Sequence, residues 1–143
     1  MIADFRIVPE AGCTLMRFSG RVGMSRMVEV FEAYLADPAF DGAYHLLMDL
    51  TGSACEESAY NDALRLAHRL RPFYERRAAT SRTAVCAPDD TAFGMARMFQ
   101  GATEGQRPFE TGVFQTVEEA LRFLDIAPEA ASAQRLTAGM AES

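Results

Sequence analysis

With 143 residues the chain fits one domain, because at this length folding buries roughly 70% of the surface exposed when unfolded, and no covalent staple is needed. The net charge of −6 argues against wholesale nucleic-acid binding, since a duplex binder presents excess positive charge to phosphates. The three cysteines, Cys13, Cys55 and Cys86, are odd in number and widely spaced; they fit neither a disulfide framework nor paired zinc knuckles and are expected to be reduced and packed.

Residues 4–20 predict a hairpin, with Phe5, Ile7 and Val8 in one strand, a turn at Pro9-Glu10-Ala11-Gly12, and Leu15, Met16 and Phe18 in the next strand. Ser25 is placed to cap a helix whose apolar face carries Met27, Phe31, Tyr34 and Leu35 and which Pro38 ends. The runs 45–50 and 82–87 are apolar and too short for helices, which is the pattern of buried parallel strands. Between them Tyr60, Ala63, Leu64, Ala67 and Leu70 predict an apolar helical stripe, and Pro72 should kink or restart it. Asp89 and Asp90 can cap a further helix carrying Ala92, Met95, Ala96 and Phe99, with Gly101 as its stop. Gly94 costs about 1 kcal/mol inside that helix, so a close neighbour is expected there. A last strand, 109–114, contains Gly112, which predicts a bulge or a close backbone approach. Thr116 and Glu119 have capping-box spacing before a final helix.

The fold class is therefore α/β: a single mixed sheet of about five strands, starting with an N-terminal hairpin and backed by about four helices. Residues 1–127 form this domain, and 128–143, poor in large apolar groups, are expected as a frayed or marginally helical tail. No stretch free of Asp, Glu and Arg exceeds seven residues, far short of the ~20 a membrane helix requires. Asp4, Arg6, Glu10, Arg17, Arg21 and Arg26 leave no apolar core for a signal peptide, so a soluble, cytoplasmic protein is expected.

Asp49 and Thr51 stand at the carboxyl edge of the central strand, where open α/β sheets bind ligands or partners, and Ser53 and Ser58 follow. The plainer explanation is that Asp49 caps a turn that Thr51 helps to form. Six arginines lie in residues 63–87 against Glu75 alone. Of these, Arg65, Arg69 and Arg76 would share a face of an unbroken helix and form an anion-binding surface. Histidines 45 and 68 lack metal-ligand companions, and no nucleophile elbow, dinucleotide loop or phosphate loop occurs. Neither an enzyme, a metal nor a cofactor is expected. Met24, Met27, Met95 and Met98 sit in or beside helices, where they pack as core or line an adaptable pocket.

Phe18-Ser19-Gly20-Arg21-Val22, the 45–50 and 82–88 strands, Phe93-Gly94-Met95-Ala96-Arg97-Met98 and Val113-Phe114 before Glu118-Glu119-Ala120-Leu121 together resemble the SpoIIAA-like, STAS-related bacterial proteins over residues 4–126. The resemblance implies a STAS-like sheet backed by helices and kinship with anti-sigma-factor antagonists, which are switched by a phosphorylated serine after the central strand. Here that stretch is Gly52-Ser53-Ala54-Cys55-Glu56-Glu57-Ser58-Ala59, and its glutamates would repel an added phosphate. Two functions follow as expectations. The first is a non-enzymatic regulatory domain that binds an unidentified protein through the loop and helix after the central strand. The second is a carrier or sensor holding a small apolar or lipid-like ligand between sheet and helices. A homodimer covering a sheet edge fits either.

Overall fold

The hairpin forms because two alternating strands flank a turn whose last residue must be left-handed. In the computed structural model, which describes residues 1–54, 59–138 and 140 and only the backbone of 59–62, β1 (Ile2–Val8) pairs antiparallel with β2 (Cys13–Ser19). A single 3-10 turn at Pro9–Ala11 joins them, closed by Gly12 at φ 59°. The predicted apolar runs become β3 (His45–Asp49) and β4 (Arg82–Cys86), and the sheet ends with β5 (Glu110–Phe114).

Strand order across the sheet is β1-β2-β3-β4-β5, with every pair after the hairpin parallel. The three crossovers therefore step in one direction, and the right-handed rule puts all their helices on the same face. These are α1 (Met24–Ala36), α2 (Ala59–Arg69) with α3 (Arg71–Arg76), and α4 (Asp90–Thr103). On this face Met16, Phe18 and Leu46 meet Val28, Phe31 and Tyr34 of α1 and Phe73 and Tyr74 of α3. The opposite face, with Cys13, Leu15, Leu47, Ala84 and Cys86, is covered by α5 (Val117–Phe123) and α6 (Ala131–Thr137). Six α-helices are thus present among the described residues, rather than about four.

Pro72 ends α2 and starts α3, as a residue lacking an amide hydrogen at a first-turn position should. Asp89 caps α4 by accepting from the Ala92 amide at 3.0 Å, and Thr116 caps α5 by accepting from the Glu119 amide at 3.3 Å. Other local expectations differ. α1 begins one residue before Ser25, with Gly23 at the cap position and no side-chain cap. α4 runs through Gly101 to Thr103. Leu64 is 41% exposed, because the inward face of α2 is set by Ala63, Leu66 and Ala67. Gly94 is exposed and a Cβ there would touch nothing within 4 Å, so no packing partner requires it. Gly112 keeps regular register with Ala84; the close neighbour is the Phe114 ring, 2.7 Å from where a Cβ would stand, not a bulge or another backbone.

The largest departure lies beyond residue 127. α6 is short, yet Ala133 and Leu136 are fully buried against the second face, and Arg6 of β1 donates through Nη2 to the Arg135 and Leu136 carbonyls. Within the segment expected as a tail, α6 thus belongs to the core. No helix among the described residues is long and apolar enough to cross a membrane.

Candidate ligand cavity

Strand alternation sends Leu46 and Met48 of β3, Thr83 and Val85 of β4 and Thr111 of β5 toward the α1–α4 layer. Between that face and the helices lies a partly open cavity of about 350 Å³. Its walls are apolar: Phe18 and Met48 from the sheet, Met24, Met27 and Phe31 from α1, Ala63 and Leu66 from α2, Leu70 between α2 and α3, and Met95, Ala96 and Phe99 from α4. Three of the four helix methionines singled out from the sequence, Met24, Met27 and Met95, line it, and Met98 does not.

One end of the cavity lies at the carboxyl edge of the sheet, against Gly20, Arg21, Ser53 and Ala54. Here the loop after β3 is stitched to the end of β2: the Gly20 amide donates to the Gly52 carbonyl at 2.8 Å, and the Ala54 amide to the Gly20 carbonyl at 2.9 Å. The other end, near the amino-terminal edges of β4 and β5, gathers polar groups from Tyr74, Thr83, Gln100, Arg107 and Thr111 around Phe109.

At this second end Arg77 is only 4% exposed. It donates through Nη1 to Thr83 Oγ1 and through Nη2 to the Tyr44 and Arg82 carbonyls at 3.4 and 3.1 Å, and its guanidinium lies 4.1 Å from the Phe109 ring centroid. Burial pulls its pKa down to about 10, so it stays charged near neutral pH. Arg107 is half-buried and is held by two donations, from Nε to Thr103 Oγ1 at 2.9 Å and from Nη2 to the Gln100 carbonyl at 2.8 Å. Neither arginine makes an ion pair with a carboxylate among the described residues. Tyr74 is buried, its Oη has no hydrogen-bond partner among the described residues, and burial pushes its pKa up to about 12.

The residues expected to form a site are placed as follows. Asp49 is buried, accepts from the Thr51 amide at 2.9 Å and from Thr51 Oγ1 at 2.6 Å, and belongs by alternation to the face opposite the cavity. This pair forms a closed turn. Ser53 reaches the cavity wall, and Ser58, like Cys55, lies outside the described residues. Arg65 and Arg69 are exposed on α2, whereas Arg76 belongs to α3, donates to the Leu35 carbonyl at 3.2 Å and lies over the Phe40 ring. None of the three arginines lines the cavity; Arg107, outside the cluster and without any motif around it, does.

His45 accepts through Nδ1 from the Arg82 amide at 2.9 Å, and burial together with the charges of Arg77 and Arg82 lowers its pKa. Burial pushes the Cys13 thiol up to about 12 and the Cys86 thiol up to about 11, so both are poor nucleophiles. Among the described residues no group of three His, Cys, Asp or Glu side chains is gathered to hold a metal ion. Compared with known proteins, the chain matches no family model, no curated protein and no solved structure.

Proposed function

We propose that this chain is a binding module, a carrier or sensor, that holds a small apolar or lipid-like ligand between its sheet and the α1–α4 layer. The observation that carries this reading is the cavity itself. Its volume of about 350 Å³ falls in the range of small-molecule pockets, and its lining of methionine and phenylalanine with a few polar groups at one end has their composition. The cavity is partly open, so its apolar lining is wetted when nothing is bound, and an apolar occupant that takes this lining out of water is favoured by roughly 25 cal/mol per Å².

The regulatory reading joins this one through a single observation: Ser53 and Ala54, in the loop after β3, are part of the cavity wall. A ligand pressing on that wall changes the surface that a SpoIIAA-like interaction domain would present. We therefore propose the loop as the output of a ligand sensor.

Native mass spectrometry of freshly purified protein, followed by fluorescence titration with a neutral naphthylamine probe, tests the binding reading. The expected result is an adduct of defined mass or saturable probe binding with one site. A bare polypeptide mass together with no probe binding overturns it.

A further inference from the structure

The polar end of the cavity is built in a way that an apolar ligand alone does not explain. Tyr74 exposes 5% of its surface, and its hydroxyl has no partner among the described residues, although a buried unpartnered hydroxyl is costly. Beside it, Arg107 is fixed by the bonds to Thr103 and Gln100 while its Nη1 takes no hydrogen bond among the described residues. The charge of Arg107 acts on the Tyr74 hydroxyl, and so does that of Arg77. Arg77 stands behind Thr83 and Phe109, both of which line the cavity, and carries a buried positive charge with no acid in an ion pair among the described residues. The acid whose charge reaches Arg107 is Glu104, which is exposed.

This end thus holds two uncommitted donors, Arg107 Nη1 and, just beneath the surface of the wall that Tyr74 forms, Tyr74 Oη–H, in a positive field and between apolar walls. We propose that the ligand is a monocarboxylate amphiphile whose carboxylate is received by Tyr74 and Arg107, with its apolar tail running along β3 between α1, α2 and α4. The proposal rests on the reading that the cavity holds an apolar or lipid-like ligand. A carboxylate has one oxygen for each of the two donors. Arg77 is a positioning residue here, holding Thr83 and adding long-range attraction.

The test is calorimetric or fluorescence titration of the full chain with decanoate and, as the matched uncharged probe, decanol. Decanoate is expected to bind at least tenfold more tightly, because a hydrogen bond to a charged group carries that much discrimination. Tyr74→Phe removes one oxygen that bonds to nothing in the fold, so it is expected to unfold at the same temperature as wild type or above it, and to lose at least fivefold in decanoate affinity with decanol unchanged. Arg107→Gln is expected to lose more, again only for decanoate. Equal binding of decanoate and decanol to wild type, or Tyr74→Phe with unaltered decanoate affinity, overturns the carboxylate assignment while leaving the cavity reading in place. If neither compound binds, both fall together.

Discussion

Substituting the same residue type on the two faces of the sheet should change stability in opposite directions. Ala96 on α4 lines the cavity, whereas Ala120 on α5 is fully buried in the second-face core with Leu121 and Leu124. Ala96→Leu adds three carbons to a space with room for them, worth about 2.4 kcal/mol at ~0.8 kcal/mol per methylene. Loss of rotamer freedom takes back about 0.5–1 kcal/mol. The net gain of about 1.5 kcal/mol corresponds to a rise in Tm of about 5 °C for a domain of this size. Ala120→Leu forces the same atoms into a closed core and should cost about 1–3 kcal/mol. Thermal unfolding of protein refolded from denaturant, so that any occupant has been stripped, reads both values. The Ala96→Leu protein should also bind the naphthylamine probe more weakly. If Ala96→Leu lowers Tm as Ala120→Leu does, the space is not there and the functional argument loses its foundation.

Three further outcomes follow from particular contacts. Gly94→Ala should raise stability by about 0.5–1 kcal/mol, since the helical backbone loses an entropic penalty and the new methyl meets nothing; a lower Tm would reveal a neighbour that the fold does not show. Leu136→Ala should cost about 2–5 kcal/mol in chemical denaturation, as for a core leucine, and a loss below about 0.5 kcal/mol would return α6 to the status of a tail. His45 has a pKa lowered on folding, so the unfolded chain binds the extra proton; stability should fall as pH drops below about 6.5 and level off below the folded value. His45→Asn should flatten that part of the pH profile, and an unchanged profile would assign the effect to other groups.

Much of the fold is legible in the residues because strands and caps are written locally. The apolar runs at 45–50 and 82–87, the turn at Gly12, the break at Pro72 and the caps at Asp89 and Thr116 each state their geometry within a few positions. α6 is not legible in this way. It buries only Ala133 and Leu136, a single large apolar group among them, too few to raise a periodic signal above an Ala- and Ser-rich background. Leu64 and Leu66 show a related limit: both are leucines two positions apart on α2, and only the packing of α2 on its neighbours decides which faces inward. The side chains proposed to meet the ligand are harder still to read. Tyr74 reads as an ordinary aromatic, and Arg107 sits between Gln106 and Pro108 in a loop with no motif, so their meeting is a product of the crossover topology alone.

That topology also explains why one face closes and the other does not. On the second face the strands offer Leu15 and Leu47, and Leu121 of α5, Leu124 at its C-cap and Leu136 of α6 answer, large groups that fill the gap between layers. On the first face the strands offer Thr83 and Thr111 beside Met48, and the walls of α2 and α4 answer with Ala63, Ala92 and Ala96. Alanine suits a helix without filling the space beside it, so α2 and α4 gain their helical backbone while leaving room over β3 and β4. Phe73 tilts against Tyr74, and Tyr74 packs edge to face on Phe109, so that the three rings close one end of that room beside the two arginines. Small residues set the volume, aromatics set the end, and a buried cation makes that end electropositive, which is what the proposed carboxylate answers.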